Sequence, residues 1–353
     1  MAACQTSDTK CAEKLDAVTM DLTKKRLSML TAIAVTVVFI YYAFIQLPTE
    51  REHHISAIVR TDTQILPVTR KESLKLTDDY LEKRLTSEAG NRRREHNPLK
   101  LYSELLDQGG VLAAGLDDPR VPAGIEKFES NDRELIDAIR TVWLDTPSTE
   151  PYDFDQSDLV FRSQFQQDSF VDNLLDKQEG GFFIEAGAAD GESYSNTLFL
   201  EIKRNWTGLL VEPDPIAYRM LKAKHRKSFS INSCIAKEVS KVNMTAAWLQ
   251  GGFNKRKPDG NRHAHPITVY CFPIDSILHA INQTTVDFFS LDVEGIEPQV
   301  LEAIPFDKVD IRLLSIEFNI CGERPIRDVL EPAGYELVTK LRNDLVYRKK
   351  SLQ

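Results

Sequence analysis

The stretch GGFFIEAGAADGESYSN, residues 180–196, constrains the fold of this chain more than any other. Residues 182–184 are apolar without a helical period, which predicts a short buried strand. Gly187 and Gly191 then predict a tight turn, followed by a helix that starts near Ser193. This arrangement is typical of cofactor pockets, because glycine lets the backbone approach a ligand and the helix N–H groups face it. An ordinary strand-to-helix turn can contain the same glycines.

Later apolar runs predict the rest of a sheet. They are Trp206–Val211, Phe229–Ile235, Val286–Leu291 and Leu313–Ile316. Short runs that are apolar on both faces are typical of parallel strands covered by helices on both sides. We therefore predict an α/β domain with a doubly wound, mostly parallel, Rossmann-like sheet.

Acidic residues follow four of the predicted strands, namely Glu185, Glu212, Asp292 with Glu294, and Glu317. Ligands of such sheets lie beyond the carboxyl ends of the strands, so these acids predict a site for a cation, a hydroxylated ligand, or both. Glu212 lies where doubly wound folds bind ribose hydroxyls. It could instead cap the next helix, although Asp214 and Pro215 already provide a strong helix start.

The segments EAGAADGESYSN, LLVEPDP and FFSLDVEGIEPQVL resemble, in order and spacing, the FkbM-type S-adenosylmethionine-dependent methyltransferases, over roughly residues 163–348. The resemblance implies a class I methyltransferase fold with S-adenosylmethionine as cofactor. It assigns cofactor binding to Glu185, Gly187, Gly191, Glu212 and Asp275. It places Asp292 and Glu294 near the reacting group as catalytic candidates, and we assign no metal ligand.

The chain departs from the enzyme pattern at two points. The loop between Gly187 and Gly191 lacks the third glycine that is usual there, and Ser290 stands where enzyme-type members often carry lysine. A missing positioned cation or base bears on catalysis more than on the fold.

The segments SQFQQDSFVDNLL and SNTLFLE, together with a membrane anchor, are similar to the Star family of arthropods. That resemblance implies a type II membrane protein of the endoplasmic reticulum, Golgi or endosome. Its role would be the export and processing of growth-factor precursors for the epidermal growth factor receptor, or of other membrane cargo.

The anchor is Leu27–Leu47, which contains no charged residue. At about 1.5 Å per residue it spans roughly 30 Å, the thickness of one hydrocarbon core. Residues 24–26 are Lys-Lys-Arg, so the positive-inside rule places the N-terminus in the cytoplasm and the C-terminal domain in the lumen. We divide the chain into a tail (1–26), a transmembrane helix (27–47), a partly helical stem (48–156) and the methyltransferase-like domain (157–353).

Glycosylation sequons and cysteines accompany this topology. Asn205, Asn243 and Asn282 begin sequons on the predicted luminal side. Cys234 and Cys271 would form a disulfide if their strands are neighbours, which would leave Cys321 free; three buried free thiols are the alternative.

The predicted stem contains two amphipathic helical patterns, Ser73–Glu88 and Asn131–Leu144, the second with Asn131 as N-cap. The formal net charge of −9 argues against nucleic acid as a partner.

Two functions stay open: a Star-like trafficking factor that keeps the fold as a binding module, and a methyltransferase that acts on the hydroxyl of a sugar or small molecule.

Overall fold

The computed structural model describes residues 98–107, 112–155, 162–247 and 264–350, all within the unit Val68–Gln353. The α-helices in these ranges are α1 (Pro98–Asp107), α2 (Arg133–Ala138), α3 (Gln167–Leu174), α4 (Leu198–Arg204), α5 (Pro215–Ala223), α6 (Ile274–Ala280), α7 (Glu297–Ala303) and α8 (Glu323–Leu330). The strands are β1 (Leu144–Asp145), β2 (Phe182–Ala186), β3 (Thr207–Val211), β4 (Phe229–Ile231), β5 (Cys234–Ile235), β6 (Ser240–Ala246), β7 (His265–Phe272), β8 (Thr285–Leu291), β9 (Asp310–Glu317), β10 (Tyr335–Leu341) and β11 (Asp344–Lys349).

The main sheet has the strand order β1-β4-β3-β2-β8-β9-β11-β10. Its central strands, from β4 to β9, pair in parallel, whereas β1, β11 and β10 join antiparallel. The chain order reverses between β2 and β8, so the point where ligands bind in such sheets lies there. The predicted doubly wound, mostly parallel sheet is confirmed.

Both faces of the main sheet are buried, as the continuous apolar runs indicate. On β2, Phe182 and Ile184 pack into one core cluster, while Phe183 packs into a second cluster on the opposite face. Side chains of a strand alternate between the faces of its sheet, so β2 contributes apolar side chains to the core on both faces.

The predicted third strand, Phe229–Ile235, is divided in the structure. Residues 229–231 form β4 of the main sheet, and β5 pairs with β7 in a second sheet of order β5-β7-β6. Asn232 lies at the break, where its side-chain amide donates to the carbonyls of Glu212 and Pro213 and its Oδ1 accepts from the Ala114 N–H. These side-chain bonds redirect the chain, which the apolar pattern alone does not indicate.

The helix predicted near Ser193 begins later, at Leu198. Glu185 accepts hydrogen bonds from the Ser195 hydroxyl, the Asn196 N–H and the Thr197 hydroxyl. These bonds hold residues 195–197 in a loop, so the first helical turn cannot form there.

The predicted stem boundary at residue 156 needs correction. Ile125, Leu135 and Trp143 are buried in the same core cluster as β2, and β1 pairs with β4. The second helical pattern yields α2 and a π-helical turn, Ile139–Trp143, with Asp132 rather than Asn131 as N-cap. Residues 112–155 therefore belong to the domain, because their apolar side chains complete its core.

No helix among the described residues is long and apolar enough to cross a membrane. The predicted transmembrane helix 27–47 and the predicted helix Ser73–Glu88 lie outside the described residues.

Candidate functional site

Two adjoining cavities lie at the carboxyl ends of β2, β3 and β8. The smaller, about 110 Å³, is lined mainly by apolar residues and by Glu212. The larger, about 500 Å³, is mostly polar and is lined by Glu185 and Glu317 among others. Both cavities share five lining residues, Ala186, Gly187, Ala189, Asp292 and Glu294. The structure thus brings together the acids that follow the predicted strands.

Gly187 joins the two central strands at this edge. Its φ is +87°, and a Cβ there would overlap the backbone carbonyl of Asp292. The Asp292 N–H donates to the Ala186 carbonyl at 3.0 Å, so β2 and β8 stay paired up to the cavities. Only glycine combines this φ with so close an approach.

Gly191, a predicted cofactor residue, lines neither cavity. A Cβ at this position would lie 2.9 Å from Leu221 Cγ of α5, and its carbonyl accepts from the Arg226 guanidinium at 2.5 Å. Its role in the structure is to pack the loop against α5.

Glu185 is held by the loop that follows it. Its two oxygens accept three hydrogen bonds, at 2.6 to 2.8 Å, from residues 195–197. Burial raises the pKa of this carboxyl, while the Arg226 charge opposes the shift. Glu185 therefore shapes the wall of the larger cavity chiefly by fixing the loop.

Glu212 faces the smaller cavity and is oriented by backbone donors. One oxygen accepts from the Ala189 N–H at 2.7 Å and the other from the Asp214 N–H at 2.8 Å. Burial, with a further contribution from the Asp214 charge, raises its pKa to about 8. Each oxygen keeps one lone pair for a ligand. Asp214, not Glu212, caps α5 by accepting from the Ile216 N–H.

A polar pair, Ser290 and Asn196, faces the larger cavity. The Ser290 hydroxyl accepts a hydrogen bond from the Asn196 side-chain amide at 2.9 Å. Asn196 Oδ1 is buried and receives no hydrogen bond from a described donor. Such an orphaned acceptor fits a ligand that brings its own N–H groups.

Asp292 and Glu317 form an interacting acid pair. Burial, with repulsion from Glu317, raises the pKa of Asp292 well above its ordinary value, and burial raises that of Glu317 to about 7. One oxygen of Asp292 lies within 4.8 Å of an oxygen of Glu317, and two carboxylates so close disfavour ionisation of both. Glu294, the other catalytic candidate, lines both cavities with a φ of +61°.

Asp275, assigned to the cofactor by resemblance, lines neither cavity. Its carboxylate accepts from the Ser130 hydroxyl at 2.8 Å and lies 3.9 Å from Lys308 Nζ. It therefore ties α6 to the segment before α2, and the structure does not bring it to the site.

Sequence reasoning missed several residues of the larger cavity. Tyr194 lines it with an exposed side chain and a φ of +59°. Asp344 reaches it from β11 and accepts from the Gln167 amide at 2.7 Å. Asn196 and Tyr194 follow the glycine turn directly, which is a usable signal. Asp344 has no such signal in the sequence, because it lies on β11, an antiparallel strand late in the chain that only the folded sheet places beside the cavity.

The predicted glycosylation sites and the cysteines do not line the cavities, with the exception of Cys234. Asn205, Asn243 and Asn282 are all exposed. Cys234 and Cys271 lie opposite each other on β5 and β7 and form a disulfide, with a Cα–Cα distance of 4.3 Å. Cys321 is a free thiol. Cys234 also lines the smaller cavity.

Comparison with known proteins identifies the domain type. Residues 185–337 match the family model described as "Methyltransferase FkbM domain". Similar solved structures include the methyltransferase FkbM of Methylobacillus flagellatus KT, at 16% identity and TM-score 0.30, covering 48% of this chain and 43% of that one. This chain therefore spans less than half of that protein. None of the curated proteins compared matches the chain.

Two further solved structures match part of this chain. The precorrin-6y C5,15-methyltransferase of Geobacter metallireducens GS-15 has 12% identity and TM-score 0.31, covering 52% of this chain and 87% of that one. The 1,6-didemethyltoxoflavin-N1-methyltransferase of Burkholderia thailandensis, solved with 1,6-didemethyltoxoflavin and S-adenosylhomocysteine, has 11% identity and TM-score 0.27, covering 52% and 77%. At these identities the likeness concerns the fold alone.

Proposed function

We propose that this chain, which carries a methyltransferase-like domain of the FkbM type, is a Star-like type II membrane protein of the secretory pathway. Its luminal domain would help to export and process precursors of epidermal growth factor receptor ligands. The observation that carries the export role is Ser290. A serine hydroxyl already engaged by Asn196 replaces the lysine of many enzyme-type relatives.

The luminal location has separate support. A disulfide joins Cys234 to Cys271, and such bonds persist in oxidising compartments. The asparagines of the three sequons are exposed, as an acceptor for a bulky glycan must be. The apolar run Leu27–Leu47 and its basic flank supply the anchor and its orientation.

Two residues that line the cavities have the hydrogen-bonding chemistry that S-adenosylmethionine needs. Glu212 would accept hydrogen bonds from the ribose hydroxyls, and the orphaned Asn196 Oδ1 would accept from an ammonium group. When bound, this cofactor supplies an activated methyl group. Binding is compatible with either function, because a trafficking module can keep the pocket without turnover.

The second candidate function is methyl transfer to a hydroxyl, and the pair of Asp292 and Glu317 favours it. A carboxylate with a pKa of about 7, as burial gives Glu317, accepts a proton efficiently at neutral pH. In this function the pair, or the catalytic candidate Glu294, would accept the hydroxyl proton of the acceptor. The acceptor would occupy the larger cavity.

One cell-based experiment separates the two functions. Cells expressing a growth-factor precursor would receive wild-type protein, Asp292→Asn, or a variant lacking residues 27–47, at matched protein levels. For the export role we expect Asp292→Asn to support secretion of the precursor and the anchorless variant to fail. Secretion that is rescued by the anchorless variant and lost in Asp292→Asn would favour methyl transfer instead.

A further inference from the structure

Three carboxylates from separate elements meet beside the larger cavity. They are Asp292 after β8, Glu297 at the start of α7 and Glu317 at the end of β9. One oxygen of each lies within 4.8 Å of the corresponding oxygens of the other two. Asp292 and Glu317 line the cavity, so the group is open to it on one side.

Each glutamate of this group is fixed through one oxygen only. Glu297 Oε1 accepts from the N–H groups of Val293 and Gly295, at 3.2 and 2.9 Å. Glu317 Oε1 accepts from the Asn319 amide at 2.7 Å. These bonds orient both carboxylates before any ligand arrives, since backbone and neighbouring side chains determine their directions.

The second oxygen of each glutamate has no hydrogen-bond donor among the residues that the structure describes. Glu297 Oε2 and Glu317 Oε2 are buried and receive no hydrogen bond from any residue that the structure describes. Glu297 is only 1% exposed. An ionised carboxylate oxygen in such surroundings is costly unless a proton or a cation satisfies it.

Within the described part of the chain, the groups that act most strongly on Asp292 and on Cys321 do not supply that positive charge. The strongest charges acting on Asp292 come from other acids, namely Glu317, Glu294 and Asp344. The Cys321 thiol lies beside Glu297 and carries no positive charge. A neutral thiol offsets none of the negative charge.

We propose that Asp292, Glu297 and Glu317 bind a divalent metal ion of the kind that prefers oxygen ligands: Mg²⁺, Mn²⁺ or Ca²⁺. Oxygens bound to one such ion at about 2.0–2.6 Å lie roughly 3–5 Å from one another, which agrees with the observed grouping. Three protein ligands leave coordination positions open towards the larger cavity, where water or a substrate hydroxyl can bind. The ion site requires neither the export role nor methyl transfer.

A shared proton is the competing occupant of the site. Protonation of Asp292 would satisfy Glu317, but it would leave Glu297 Oε2 without a partner. Titration with metal distinguishes the two, because only a metal site saturates at a fixed stoichiometry.

The test uses the full chain, purified in detergent and treated with a chelator. Mn²⁺ is added, the free ion is measured by electron paramagnetic resonance, and Mg²⁺ and Ca²⁺ are tested as competitors. Glu297→Gln and Asp292→Asn remove one ligand charge each, and Glu302→Gln, exposed on the same helix as Glu297, is the matched control.

We expect one Mn²⁺ per chain in the wild type and in Glu302→Gln. The dissociation constant should rise at least about tenfold in Glu297→Gln and Asp292→Asn, since even outer-shell changes weaken metal sites by 10–100-fold. Mn²⁺ should raise the melting temperature of the wild type more than that of either ligand variant. The proposal is overturned if binding does not saturate at millimolar Mn²⁺, or if Glu297→Gln binds as Glu302→Gln does. S-adenosylmethionine is absent from the assay, so failure here leaves the proposed function untouched.

Discussion

Glu185, near the end of β2, and Glu212, just after β3, look equivalent in the sequence, yet their surroundings give them different roles. Glu185 accepts three hydrogen bonds from a single loop, and the Arg226 charge acts on it. Glu212 accepts two backbone N–H bonds and faces a cavity. At the scale of the residue, the number of donors that reach a carboxylate decides whether it supports a loop or has capacity left for a ligand.

The ligand role of Glu212 can be tested by Glu212→Ala. If its oxygens receive the ribose hydroxyls, the substitution should weaken binding of S-adenosylmethionine by about 1.5–3 kcal/mol at about pH 9, where a carboxyl with a pKa of about 8 is ionised; this is the usual contribution of hydrogen bonds to a charged group. Isothermal titration calorimetry on the full chain measures the effect, with the exposed Glu238→Ala as control. Equal affinity in both variants would remove Glu212 from the pocket, and a wild type that does not bind at millimolar cofactor would leave the pocket vestigial.

At the scale of the element, the site depends on how closely the ends of β2 and β8 approach each other. Gly187 has no Cβ, so its backbone can lie against the Asp292 carbonyl. The Asp292 N–H holds the two strand ends together by donating to the Ala186 carbonyl. The three carboxylates of the proposed metal site come from the loop and helix after β8 and from the next strand, β9. A change that separates β2 from β8 should therefore affect the whole carboxyl edge.

Gly187→Ala should be strongly destabilising. Its cost combines an unfavourable positive φ, about 1–2 kcal/mol, with the displacement of the Asp292 backbone. Gly334→Ala is the matched control, because Gly334 has a φ of +90° with no atom near its would-be Cβ. We expect Gly187→Ala to lose roughly twice as much unfolding free energy as the control or more, measured by urea denaturation. Equal losses would show that the close approach is unimportant.

At the scale of the whole molecule, the segment before the glycine turn belongs to the domain. Trp143 stacks edge-on against Tyr270 and Phe272 of β7, and the Tyr102 hydroxyl donates to Asp214 at 2.5 Å. Because these contacts reach β7 and the start of α5, and Trp143 is buried in the main core cluster, a fragment cut at residue 157 would expose apolar core. Experiments on this protein therefore require the chain that precedes it.

The proposed topology makes a prediction at the same scale. With the N-terminus in the cytoplasm, the three sequons lie in the lumen, and glycosidase treatment of the membrane-bound protein should lower its apparent mass. Replacing Asn205, Asn243 and Asn282 together by glutamine should abolish that shift, as measured by gel mobility. Digestion of a C-terminal tag by protease added to intact microsomes would contradict the orientation.

The sequence by itself determined the parallel core of this domain. The apolar runs place β2, β3, β8 and β9, the acids that follow them share one edge, and Asp214 with Pro215 starts α5. These features are local, since a run of apolar residues or a capping side chain acts on its own few neighbours.

Only the tertiary structure decided which polar atoms the site contains. Asn232 sends β4 and β5 to different sheets, Gly191 and Asp275 serve packing rather than the cavities, and Glu297 joins Asp292 and Glu317. The physical reason is that the function of a carboxylate depends on which hydrogen-bond donors reach its oxygens once the chain has folded. Some of these donors are local, as Val293 and Gly295 are to Glu297, but Glu185, Asp292 and Glu317 meet at one edge from separate strands, so no local pattern records their grouping.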